Sequence, residues 1–354
     1  MRPRQPGVLE ALAAACLFGA ATPLASRLTG STSPQVLAGL LYLGSGLALW
    51  TSMRWWPARR EAPLTRRELP ALSGAIVFGG GLGPVLLVIG LRSTPAASAS
   101  LLLNLEVVFT ALIAWLAFHE GFSLRVGIGL ALILGGGVLV SWQGGEVGFT
   151  WGAFAIAGAC ACWALDNNLT QLVSAKDPRQ IATLKGVIAG STNLAIGLLL
   201  GATLPNIGAA AAAITIGIFG YGISLMLFVS ALRALGAART GALFAVAPFA
   251  GVVIAIGVLG DAIPALLLPA TTLMGVGAWL YISEHHDHRH AHEPLTHSHL
   301  HSHRDPHHDH EHPAGMDTTG SHSHEHSHPR LVHSHAHRPD IHHRHRHRGH
   351  TEGS

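Results

Sequence analysis

Eight residues stand where an apolar sequence gives least reason for them: Asn104, Glu106, Trp163, Asp166, Asn167, Lys185, Asn193 and Tyr221. Ionisable groups inside apolar segments are expensive, and they usually face a water-filled cavity or a partner. Glu106 sits near the centre of the run 95–118, with Asn104 two residues before it. A carboxylate there either takes up and releases a proton or serves as a hydrogen-bonded structural group. Asp166, Asn167 and Asn168 form a polar cluster in the run 150–173, and Lys185 lies in the next run. An Asp166–Lys185 ion pair across two helices would fix packing and register, or would open when substrate or proton arrives. Asn193, with Ser191 and Thr192, offers hydrogen-bonding groups, although Ser and Thr in helices often bond their own backbone. Trp163 and Tyr221 either line a cavity or pack between helices.

A second chemistry is concentrated at the C-terminus. Residues 285–354 hold 25 of the 26 histidines, as in His297, His299, His301 and His303 or His322, His324, His326 and His328. Neutral imidazole suits zinc, nickel, cobalt and copper, and much of this histidine is neutral at cytoplasmic pH. Many interchangeable ligand sets imply several exchangeable sites and not one closed tetrahedral site. The tail has too little apolar surface to bury a core, so disorder is expected. A pH-responsive polar tail with no part in transport is the alternative. The His119–Glu120 pair reads as an interfacial anchor, because adjacent helical positions point in different directions.

The elements that must position these groups are membrane helices. About half of the 354 residues are hydrophobic and only 12% are charged, well below the charged share of a soluble domain. Ten segments approach the roughly 20 apolar residues a span requires: 8–29, 34–53, 69–91, 95–118, 124–142, 150–173, 180–201, 208–232, 239–259 and 264–282. With the N-terminus inside, Arg54, Arg59, Arg60, Arg66, Arg67, Arg125, Lys176, Arg179, Arg233 and Arg239 fall in inside loops. That asymmetry orients the chain with both termini cytoplasmic. The net charge of +3 thus reflects orientation and does not point to nucleic acid. Cys16, Cys160 and Cys162 lie within apolar helices and read as small buried side chains.

The sequence also repeats. A gapless shift of 141 places Phe78 on Phe219, Gly79 on Gly220, Gly81 on Gly222, Leu91–Arg92 on Leu232–Arg233 and Glu120 on Asp261. Two five-helix halves must enter the membrane from opposite sides, giving a pseudo-two-fold axis with a cavity at the midplane. The expected fold is therefore an all-α membrane protein of ten helices in two inverted repeats, 1–142 and 143–283, followed by a disordered tail, 284–354.

The stretch Leu105–Glu120, an apolar helix ending on an acid, resembles the end of an EamA domain, and Ala247–Asp261 resembles the same motif in a second copy. The opening Cys16–Leu28 also fits the first helix of that family, the EamA-type branch of the drug/metabolite transporter superfamily. Pro248 matches a proline common in the family, whereas Val107 replaces it in the first half, so no proline enforces a break in the fourth helix. The resemblance implies movement of small organic metabolites, driven by exchange or by a coupling ion such as H+, in a bacterial inner or cell membrane. No cofactor is required. Efflux of divalent nickel, cobalt or zinc with the tail as collector is the rival, and a metal-sensing membrane protein is a further one. The membrane segments lack the clustered histidines and carboxylates that a metal would need. No catalytic spacing indicates an enzyme.

Overall fold

A computed structural model of the protein describes residues 6–55, 64–118, 124–141, 150–174, 176–263 and 266–283, with four short backbone segments in the tail. The helices are α1 (Pro6–Ser26), α2 (Pro34–Trp55), α3 (Leu69–Ala75), α4 (Gly83–Leu91), α5 (Ala96–Leu102), α6 (Leu105–Phe118) and α7 (Leu124–Ser141). They continue as α8 (Trp151–Val173), α9 (Pro178–Leu199), α10 (Ile207–Ile216), α11 (Ser224–Phe244), α12 (Ala247–Gly257) and α13 (Leu267–Ile282). Six helical stretches among the described residues are long and apolar enough to cross a membrane: Gly7–Ser26, Pro34–Met53, Leu69–Leu91, Ala96–Ile113, Pro178–Leu199 and Ile207–Leu232. Leu124–Leu139, Ala247–Gly257 and Leu267–Leu280 are shorter apolar helices. Large apolar side chains cover much of the outside, Trp151 and Ile207 being 89% and 88% exposed. Such a surface suits lipid and not water.

Two seven-residue π-helical segments, Ile76–Leu82 and Gly217–Ile223, join α3 to α4 and α10 to α11. They are offset by 141 residues, the shift that aligns the sequences. The packing repeats in the same way. Counterparts α2 and α9 lie against each other, as do α7 and α13, while α1 packs on α11 and α4 on α8. Each of these contacts maps onto itself or onto another when the halves are exchanged.

Two boundaries differ from expectation. The apolar runs 208–232 and 239–259 were expected to be separate helices, but α11 continues unbroken to Phe244 and the turn falls at Ala245–Val246. In the first half Pro95 adopts φ −54° and ψ 142° and ends the helix, since it donates no N–H and restrains its predecessor. Gly236 stands at the matching position in a run of good helix formers, and nothing stops the chain there. Conversely, the fourth apolar run breaks at Leu103–Asn104 between α5 and α6 without any proline.

In the tail, where disorder was expected, β1 (His286–His292) pairs antiparallel with β4 (Leu331–His337), and β2 (Leu295–His301) with β3 (His322–His328). Isolated two-stranded ribbons are marginal in water. His119, Glu120 and His303 lie outside the described residues, as do the side chains of the other tail histidines.

The helical core is held by backbone-to-backbone approach. A Cβ on Gly190 would lie 2.3 Å from the Leu43 amide nitrogen, and one on Gly186 would lie 2.6 Å from Gly46 Cα. Small residues that admit such contact are the membrane substitute for hydrophobic attraction between helices. Gly190→Ala is expected to destabilise the bundle by about 1–3 kcal/mol through overpacking. Gly275→Ala, where a Cβ meets nothing within 4 Å, should be neutral or stabilising. Thermal unfolding of both variants in detergent checks the contrast.

Candidate functional site

The cavity opens between α1, α2, α6, α8, α9 and α11 and holds about 470 Å³ of empty space, its mouth included. Its walls are rich in aromatic rings. Phe18 meets Trp163 and Tyr221 edge to face, with ring centroids 5.5 and 5.7 Å apart. Tyr42 lies 5.2 Å from Tyr221, and Phe228 lies 4.8 Å from Phe244. The charged groups at this cavity are Glu106, Asp166 and Lys185.

Lys185 is only 1% exposed, and its ammonium is saturated. Nζ donates to both Asp166 carboxylate oxygens at 2.6 and 2.7 Å and to Thr170 Oγ1 at 3.2 Å. Thr170 in turn donates to Asp166 Oδ1 at 2.8 Å from one turn along α8. Taking two ions out of water costs several kcal/mol apiece, and a close pair with supplementary hydrogen bonds offsets that cost. Room for the carboxylate comes from a glycine, because a Cβ on Gly79 would fall 1.8 Å from Asp166 Oδ2.

Glu106 is held differently. The break at Leu103–Asn104 restarts the helix, so Glu106 falls in the first turn of α6, where the helix dipole favours a negative charge. Its Oε1 accepts a 2.6 Å hydrogen bond from Asn167 Nδ2. Among the described residues no cation lies within ion-pair distance of it.

The second π segment lines the cavity through Gly220 and Tyr221, whereas the first lies behind its wall and holds lining side chains in place. In the first segment the Gly83 N–H goes to the Phe78 carbonyl and Pro84 has no N–H to offer Gly79, so in an apolar bundle the Gly79 carbonyl needs another donor. Tyr42 Oη and Trp163 Nε1 both donate to the Gly79 carbonyl, at 2.8 and 2.9 Å. Asn193 Nδ2 donates to the Gly80 and Gly81 carbonyls at 3.0 and 3.2 Å.

Of the eight residues singled out in the sequence, Glu106, Trp163, Asp166, Asn167, Lys185 and Tyr221 line the cavity. Asn193 acts on the π segment, and Asn104 is fully buried with Nδ2 donating to the Leu101 carbonyl. Ser191 and Thr192 face outward. Sequence reasoning missed Phe18, Tyr42, Ser224, Phe228 and Phe244, which also line the cavity. Isolated aromatics in apolar helices look like packing, and only Tyr42, polar and in the middle of α2, carried a usable signal. Tyr221 Oη and Ser100 Oγ are buried without a hydrogen-bond partner.

The model of the EamA-like transporter family matches residues 5–142 and 150–283. An uncharacterized transporter of Methanothermobacter thermautotrophicus is 29% identical over 281 residues, covering 72% of this chain and 80% of the relative. A solved crystal structure of a protein superposes with a TM-score of 0.60 at 19% identity, over 77% of this chain and 95% of that one. At that identity the likeness concerns the fold alone.

Lys185→Met strands the Asp166 carboxylate in an apolar site and should cost about 3–5 kcal/mol of stability. Adding Asp166→Asn to that variant should recover most of the loss, because the pair disappears together. A double-mutant cycle by thermal unfolding in detergent checks both; equal loss in the single and double variants would deny the pair its structural role.

Proposed function

The chain belongs to the EamA-like transporter family, and from that premise we propose that it is a secondary transporter exporting a small organic solute by alternating access around the cavity at Glu106. The observation carrying this reading is the placement of Glu106 at a helix break, facing a cavity bounded by both halves of the chain. Discontinuous helices at corresponding positions of two repeats are where secondary transporters hold their substrates. Here the breaks fall at Leu103–Asn104 and Ala245–Val246. The exchange symmetry of the packing supports two five-helix repeats with a ten-span count. With opposed entry of the halves, rocking one against the other would open the cavity to each side in turn.

In this reading Glu106 is the coupling group. It holds a proton when substrate is absent and a carboxylate charge when substrate is bound. Asn167 steadies it in the charged state through the 2.6 Å hydrogen bond. Both termini are cytoplasmic, which places the Glu68–Lys176 ion pair, 3.3 Å long, on the inner side, where it ties α3 to the segment before α9.

The tail is proposed as an accessory metal binder for zinc, nickel, cobalt or copper, separate from the transport path. Among the described residues no group of three His, Cys, Asp or Glu could hold a metal ion, which argues against a metal as the cargo of the membrane domain. Truncation after Ser283 should leave a stable, membrane-inserted protein that has lost metal binding. If cells under nickel, cobalt or zinc load instead accumulate more metal with the truncated protein than with the full chain, metal efflux displaces the organic-solute reading.

The central test uses proteoliposomes that enclose a pH-sensitive dye and are presented with a panel of amines, amino acids and organic acids. The wild-type protein should couple solute movement to proton flux, whereas Glu106→Gln should retain its fold and lose coupled flux. Full gradient-driven transport by Glu106→Gln would remove Glu106 from the mechanism.

A further inference from the structure

We infer that the cavity takes a monovalent organic cation, an ammonium centre carried on an apolar body, and refuses solutes that carry a carboxylate. The inference rests on the transporter reading and names its substrate class. It begins with the charge balance. Glu106, Asp166 and Lys185 are the carboxyl and amine side chains among the described lining residues, and the last two are paired with each other. Lys185 spends its three N–H donors on Asp166 and Thr170, so no cation is left for an incoming anion. A substrate carboxylate would have to break that pair or go unpaired, and either is costly at a buried site. Glu106, on giving up its proton to make way for a cation, carries a negative charge that only the amide of Asn167 steadies among the described residues.

The walls agree with the charge. Six rings, those of Phe18, Tyr42, Trp163, Tyr221, Phe228 and Phe244, line the same cavity as Glu106. Phe18 stands at 81° to Trp163 and 74° to Tyr221, so π surfaces are turned in more than one direction. Electron-rich faces attract ammonium groups, and rings with a carboxylate recur in recognition of organic cations. A bare metal ion would need several hard or imidazole ligands, and the cavity offers one free carboxylate. Tyr221, 4% exposed, lines the cavity, and its buried hydroxyl has no partner, leaving an oxygen able to accept an N–H from the bound ammonium.

The test measures binding to the purified full-length protein in detergent by isothermal titration at neutral pH. Its probes are phenethylamine, phenylalanine and phenylacetate, which share a ring and differ in charge. Phenethylamine should bind about tenfold or more tightly than either carboxylate-bearing probe. Glu106→Gln should weaken its binding about tenfold, and Phe18→Leu, which leaves every charge in place, should weaken it to a smaller degree. Equal or tighter binding of phenylalanine or phenylacetate, refusal of all three, or unchanged affinity in Glu106→Gln would overturn the cation class. The transporter reading fails separately: if dye-loaded proteoliposomes move other members of the solute panel but reject amines, only the cation class falls. If they move nothing, the transporter reading falls as well.

Discussion

The close approach of α2 and α9 is the constraint on which the remaining geometry depends. A span in lipid gains nothing from burying apolar surface against another apolar span, so contact must come from shape. Gly39 and Gly46 on α2 and Gly186, Gly190 and Gly197 on α9 remove the side chains that would hold the backbones apart. Lys185 and Asn193 ride on α9 beside those glycines, and Tyr42 rides on α2. Their reach to Asp166 and to the carbonyls of the π segment is therefore fixed by backbone contact. A helix pair held by long side chains would not hold an ammonium within 2.6 to 3.2 Å of three oxygens.

The same medium explains why the irregular backbone lies where it does. Unpaired carbonyls and amides are tolerated at membrane depth only beside polar groups or a cavity. The first π segment exposes Gly79, Gly80 and Gly81 carbonyls, and three side chains from three different helices satisfy them. At the break before α6 the Leu103 carbonyl accepts the Glu106 N–H at 3.1 Å, and the Leu102 carbonyl faces the Cys160 thiol at 3.6 Å. The structural irregularities and the polar side chains thus account for one another, and Tyr42 and Trp163, which serve the π segment, also line the cavity with Glu106.

Much of this was legible in the sequence because lipid imposes a plain code. The apolar runs, the 141-residue repeat and the Asp166–Lys185 partnership all follow from the cost of polar groups in hydrocarbon. The π segments were hidden, since GlyGlyGly and GlyTyrGly runs fit an ordinary helix equally well. The continuous α11 was misjudged because a lone arginine at 233 and another at 239 resembled a loop, although no proline or turn residue cluster supports one. The aromatic lining was illegible for a different reason: an aromatic ring in an apolar helix has the same signature whether it packs or faces a cavity. Only the three-dimensional meeting of rings from separate helices distinguishes the two.

The self-contained neutrality of Lys185 and Asp166 has an energetic consequence for the cell. A pair that stays together contributes no moving charge, so the current carried per cycle is set by what alternates on Glu106. If a proton leaves as a monovalent ammonium enters, and the reverse happens on the other side, equal charges cross in opposite directions. Such an exchanger is electroneutral. It would be indifferent to membrane voltage, which is worth about 2.3 kcal/mol per charge at 100 mV, and would run on the pH difference alone, remaining active in a depolarised cell for as long as that gradient lasts.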